Sequence, residues 1–122
     1  MGRWFAFSIP QGQLYRIDTD KSVTLLATMP ELSNRVVNVV VGPSGARVLL
    51  VSPRDRIVYV VDTESGATTA IVPTPGRVRQ VLFASDATRL LLASRWDRSV
   101  YVYSWPDLRP LNSIPLIPLI SE

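Results

Sequence analysis

Twelve arginines stand against a single lysine, Lys21, in a 122-residue chain whose formal net charge is +3. A guanidinium presents its donors in a planar fork that matches carboxylate and phosphate oxygens, so anion recognition is the chemistry most heavily represented. Two runs carry alternate carboxylates, Asp18-Thr-Asp20 and Asp62-Thr-Glu64, a spacing able to offer hard oxygen ligands to a calcium ion. Carboxylates in such runs far more commonly hold turns, and no metal is expected. General acid–base work needs two groups converging in one cleft, whereas these carboxylates are scattered along the chain. With no cysteine and no histidine, disulfides, thiolates, Cys/His zinc sites and every Ser-His or Cys-His nucleophile pair are excluded. No catalytic residue and no cofactor is expected.

The elements that must position these side chains are short strands. The composition, 47% hydrophobic and 19% charged, suits one domain with a packed core. Sliding the chain by 42 residues aligns 35–73 with 77–115 without a gap, and thirteen of the 39 pairs are identical, among them Arg35/Arg77, Val36/Val78, Leu50/Leu92, Ser52/Ser94, Asp55/Asp97 and Tyr59/Tyr101. A period of this size is that of four-stranded propeller blades. Residues 1–34 join at an offset of 44, with Tyr15/Tyr59 and Asp18/Asp62 matched and two extra residues in the loop at 29–34. Within the middle unit, β-branched runs predict strands a to d at 36–41, 46–52, 57–62 and 67–72, and the third unit predicts 78–83, 88–94, 99–104 and 109–114. Turn residues fill the gaps, as in Gly42-Pro-Ser-Gly45 and Thr63-Glu-Ser-Gly66. Strand a, almost wholly apolar, is expected to be buried on both faces. Asp55 and Asp97 are expected to hold their hairpin turns by accepting backbone N–H bonds, and Tyr15, Tyr59 and Tyr101 to pack between sheets.

Val81-Leu-Phe-Ala-Ser-Asp86, Leu91-Leu-Ala-Ser94, Asp97 and Val100-Tyr-Val-Tyr103 together resemble a WD40-type repeat, and the middle unit shows the same skeleton in Leu49-Leu-Val-Ser52, Asp55 and Ile57–Asp62. There is no Gly-His dipeptide, and Val61 and Tyr103 stand where that family places the Trp of its Trp-Asp pair, so quinoprotein-like and NHL-type propellers stay open as subfamilies. The resemblance implies an all-β partial β-propeller of about three four-stranded antiparallel blades. It is read as one unit over 1–122: blade 1 at about 1–34 lacking strand a, blade 2 at 35–76, blade 3 at 77–115 and an apolar tail at 116–122.

The resemblance also implies that b–c and d–a loops emerge on one rim and a–b and c–d loops on the other. The first rim then receives Arg35, Arg54, Arg56, Arg77, Arg79, Arg95 and Arg98, with Trp96 among them and only Asp55, Asp97 and Glu31 opposing. The second receives Asp18, Asp20, Asp62, Glu64, Asp86 and Asp107 against Lys21, Arg47, Arg89 and Arg109. Arg54, Arg56, Arg77, Arg79, Arg95, Trp96 and Arg98 are therefore the candidate partner-binding rim, able to hold an acidic peptide, a phosphate or a nucleic-acid backbone, with an acidic protein the expected partner. Nucleic acid is not the expected partner, because no motif that reads bases accompanies the arginines.

Closed propellers use at least four blades, so three are expected to be completed by other blades, either as a segment of a larger propeller or as a half-propeller that oligomerises. The run Ile114-Pro-Leu-Ile-Pro-Leu-Ile120, broken by Pro115 and Pro118, is expected to form an edge strand or a docking segment. No apolar run reaches a membrane span and the first residues lack a signal-peptide pattern, so a cytoplasmic or other intracellular protein is expected. The function these readings favour is a non-catalytic protein–protein interaction scaffold. The alternative is a fragment of a propeller enzyme, or of a sugar- or phosphate-binding propeller, whose site residues lie elsewhere.

Overall fold

Short β-branched and aromatic runs between Gly, Pro and Asp turns yield antiparallel hairpins throughout. A computed structural model of the chain describes residues 2–116. Its strands are β1 (Trp4–Ser8), β2 (Gln13–Ile17), β3 (Val23–Thr28), β4 (Asn38–Val41), β5 (Arg47–Ser52), β6 (Ile57–Asp62), β7 (Thr68–Pro73), β8 (Gln80–Phe83), β9 (Arg89–Ser94), β10 (Ser99–Ser104) and β11 (Pro110–Pro115). They form three antiparallel sheets in sequential order, β1-β2-β3, β4-β5-β6-β7 and β8-β9-β10-β11. No α-helix occurs among the described residues, and the loop at 29–34 contains one 3-10 turn, Pro30–Leu32, which buries Leu32. No helix among them is long and apolar enough to cross a membrane.

The middle sheet is packed on both faces. Toward the first sheet, Val36, Val48, Leu50 and Val61 meet Leu14, Met29 and Leu32. Toward the third, Leu49, Val51, Val58, Val60 and Val72 meet Val78, Val81, Leu90, Leu92 and Tyr103. Alternate residues of β5 thus serve opposite interfaces, and Val48 to Val51 are all fully buried. The residues on the corresponding faces of the second and third sheets are related by the 42-residue period: Val48, Leu50 and Val61 answer to Leu90, Leu92 and Tyr103.

The inner strands differ from expectation. β4 is half-buried, with Val41 42% exposed. An innermost strand has a neighbour on one edge only and borders the open axis on the other, so full burial falls instead to β5, flanked by β4 and β6. Val36 and Val78 precede β4 and β8 rather than opening them, yet both are buried, and Val37 still donates its N–H to Val51 O at 2.9 Å. β11 is the strand d expected at 109–114, lies at the sheet edge and is exposed along its whole length. Of the proline-broken run it takes in only Ile114 and Pro115; residues 117–122 lie outside the described residues.

Hydrogen bonds between loops define the two rims. On the first, Asn34 N donates to Ile9 O (2.8 Å) and Thr74 N to Arg56 O (2.9 Å), tying each loop that leaves a sheet to a β1–β2 or β5–β6 turn. On the second, Thr63 N donates to Ala46 O (3.1 Å) and Trp105 N to Thr88 O (2.9 Å). Gly66 sits there at φ +77°, with its α-carbon so close to the first sheet that a Cβ would fall 2.0 Å from Leu26 O. Only glycine combines that dihedral with that approach.

Candidate functional site: an arginine rim

The second rim is internally neutralised. Arg3 lies 3.2 Å from Asp18 and 2.6 Å from Glu64, Arg47 lies 3.4 Å from Asp62, and Arg109 lies 3.2 Å from Asp107. Arg16 Nε makes no well-aligned hydrogen bond but stays 3.4 Å from Asp18 Oδ1, within reach of direct Coulomb attraction. Three carboxylates there, Asp62 among them, hold turns. Asp20 accepts from Ser22, Asp62 from Ser65 and Asp86 from Thr88. These bonds, led by the Ser22 hydroxyl, the Ser65 amide and the Thr88 hydroxyl, lower the three carboxyl pKa values. All three therefore remain ionised acceptors at neutral pH. No cluster of three or more potential metal-ligating side chains occurs among the described residues. A cavity of about 570 Å³ on this rim, bordered by Arg3, Phe5, Pro43 and Glu64, was not foreseen from the sequence. Its signal was the Asp62-Thr-Glu64 turn, whose partner Arg3 lies 61 residues away from Glu64.

The first rim is different. Its one ion pair among the described residues joins Arg35 to Asp55, 2.5 Å apart, while Arg54, Arg56, Arg77, Arg79, Arg95 and Arg98 have no carboxylate within ion-pairing distance among them. All six are exposed, as is Trp96 at 74%. Sequence logic explains their direction. Val78 is anchored in the core, so Arg77 and Arg79, its neighbours on an extended chain, turn away from it together. The β9–β10 turn brings Arg95, Trp96 and Arg98 to the same place, with Arg98 at φ 52° closing the turn.

Arg77, Arg79, Arg95, Trp96 and Arg98 line one cleft of about 370 Å³. Arg56 borders an adjoining cavity of about 460 Å³ that shares Arg77 and Trp96 with the first. Arg54, at the tip of the β5–β6 turn, lines neither.

The repeated aspartates hold their turns through side chains rather than through the backbone amides expected of them. Asp55 accepts from the Ser52 hydroxyl at 2.8 Å and from Arg35. Asp97 accepts from the Tyr101 hydroxyl at 2.6 Å, while its own N–H donates to Ser94 Oγ at 3.3 Å. Tight four-residue turns leave few amides pointing inward, so the carboxylates find partners at the turn base instead. Asp97 also abuts Gly76, where a Cβ would collide with its Oδ2. Burial, aided by the bond to Asp97, pushes the Tyr101 hydroxyl up to about 12, so it remains a donor throughout the physiological range. Tyr59 and Tyr101 pack against the two core clusters, whereas Tyr15 donates to Gln13 and joins neither.

No protein-family model and no curated protein sequence matches the chain. Solved structures do. Hydrazine synthase of Kuenenia stuttgartiensis superposes with a TM-score of 0.70 at 15% identity, over 91% of this chain and 34% of that one. The β-propeller domain of Myceliophteria thermophila Cps50 (Swd1) superposes with a TM-score of 0.70 at 14% identity, over 93% of this chain and 41% of that one. The chain has a β-propeller-like fold, three blade-like sheets of three, four and four strands. It spans between a third and a half of the length of each of these structures.

Proposed function

We propose that the protein is a non-catalytic interaction scaffold whose arginine rim captures an acidic protein partner in the cytoplasm or another intracellular compartment. The observation that carries this reading is the contrast between rims: on one, Arg3, Arg16, Arg47 and Arg109 are paired with carboxylates and Arg89 alone of its arginines is not, whereas on the other six arginines are left exposed without carboxylates. Clustered like charges on a rigid surface repel one another, and an anionic partner relieves that repulsion while being steered to it. Poly-glutamate titrated into the labelled chain tests this by anisotropy. Binding is expected at low ionic strength and should weaken at least about tenfold as the screening length shrinks from ~30 Å to ~8 Å between 0.01 and 0.15 M salt. Salt-insensitive binding, or none, would overturn the reading.

The scaffold reading includes association. The outer face of the third sheet carries Leu82, Leu91, Val100 and Ile114, which by the 42-residue period answer to Val40, Leu49, Val58 and Val72, residues packed between the second and third sheets. On the first sheet Trp4 and Leu25 are likewise exposed, at 58% and 50%. Repeat arrays draw much of their stability from such contacts, so another blade-like sheet, from a second copy or another subunit, is the fitting cover. Light scattering of the 122-residue chain should give a mass above that of one chain, reduced toward it by Leu82→Asp. A stable monomer with cooperative unfolding would contradict this.

A second reading, a portion of a propeller enzyme whose site residues lie elsewhere, draws on the similarity to hydrazine synthase. Further 42-residue units in a longer reading frame, bearing convergent polar side chains, would favour it.

A further inference from the structure

We propose that the cleft between Arg77, Arg79, Arg95, Trp96 and Arg98 is a receptor for a phosphate group carried on a protein side chain, an inference that rests on the acidic-partner reading of the same rim.

The argument comes from where the third sheet departs from the repeat. In the second sheet Arg35 is committed to structure: together with the Ser52 hydroxyl it holds Asp55. Its counterpart Arg77 has been released. Asp97 takes its bond from Tyr101 instead, and Arg77 has no ion pair among the described residues. The same region gains cations that the second sheet lacks, for Arg79 and Arg95 occupy the positions of Val37 and Pro53, and Trp96 that of Arg54. Three changes and one freed arginine thus converge on a single cleft, and no carboxylate lines it. Turn stability explains none of them, because the equivalent turn of the second sheet forms without them.

Charge density selects the ligand. A carboxylate brings one charge and two oxygens, whereas a phosphomonoester brings nearly two charges and three strong acceptor oxygens. Several guanidinium forks can therefore share one phosphate, each making paired hydrogen bonds. Trp96 offers a flat aromatic wall for the residue that follows the phosphorylated one. Nucleic acid fits less well, since it demands a track of evenly spaced cations.

The test uses three fluorescent peptides of one sequence, with Ser, phospho-Ser or Glu at the centre and an apolar residue after it, titrated with the full chain. The phosphopeptide should bind at least about tenfold tighter than the Glu peptide, and its affinity should fall as pH drops from 7.5 to 5.5, because the phosphate takes up a proton near pH 6 while the arginines stay charged. The double variant Arg77→Lys, Arg98→Lys keeps the charge but loses the forks, and should remove most of that preference. Equal affinity for the phospho-Ser and Glu peptides would overturn the phosphate inference while leaving the acidic-partner reading intact. Failure of poly-glutamate and all three peptides to bind would overturn both. Inorganic phosphate binding as tightly as the phosphopeptide would make the ligand the free ion, and displacement of the peptide by equimolar oligo-dT would make it nucleic acid. Either result rejects the proposal.

Discussion

Leu50→Ala should lower the stability of the chain by about 2–5 kcal/mol, the usual cost of deleting three carbons from a site that cannot collapse. Leu50 is fully buried, pairs with Val39 on β4 and Tyr59 on β6, and projects among Leu14, Met29, Val36 and Val61 at the junction of the first two sheets. Strands on both flanks fix its backbone, so neighbours can relax into the void only slightly. Because domains of this size are stable by about 5–15 kcal/mol, a loss of that order brings the variant close to unfolding. Urea denaturation followed by circular dichroism reads the effect as a fall in midpoint. Ile71→Ala, on an exposed residue of the outer strand β7, serves as the control and should cost no more than about 0.5 kcal/mol. Equal shifts for the two substitutions would mean that the sheet interface described for β5 is wrong.

Much of the architecture was legible because its signals are local. Gly42-Pro-Ser-Gly45 and Thr63-Glu-Ser-Gly66 bracket β5 and β6, and these strands begin and end within one residue of the positions that the β-branched runs between turn residues predict. The repeat supplied what locality could not, since identical spacing of Leu49, Leu50 and their counterparts implies one packing scheme used twice. Burial of the inner strand was misjudged. An apolar run such as Val36–Val41 signals a hidden strand, but how much of it is hidden depends on what lies across the axis, which no local pattern encodes. The partners of Asp55 and Asp97, though not their turn-holding role, differ from expectation for a similar reason: Arg35 is 20 residues from Asp55, and the choice between Arg35-type and Tyr101-type partners is settled by tertiary geometry.

The candidate site divides in the same way. That Arg54, Arg56, Arg77, Arg79, Arg95, Trp96 and Arg98 belong to loops of one rim followed from strand order taken together with the propeller resemblance. That five of them share a cleft while Arg54 stands apart needed coordinates, because a one-residue difference along a turn redirects a side chain. Equally hidden was the neutralisation of the opposite rim, in which Arg3 and Arg16 reach across from the first sheet to Glu64.

The account turns on the claim that position, and not net charge, makes the first rim a binding surface. Two variants separate these. In one, Arg54, Arg56, Arg95 and Arg98 are replaced by Ser; in the other, Lys21, Arg47, Arg89 and Arg109 on the opposite rim are replaced by Ser. Both remove four positive charges, and circular dichroism should show that both remain folded. Each exposed guanidinium–carboxylate contact contributes about 0.5–1 kcal/mol, so losing four should weaken poly-glutamate binding by roughly 30- to 1000-fold. The opposite-rim variant should change it by less than about threefold, since those cations are already paired or distant. Isothermal titration calorimetry of the two variants against the parent chain makes the comparison directly. A large loss confined to the Arg54/Arg56/Arg95/Arg98 variant is the predicted result, and equal weakening of both variants would contradict it.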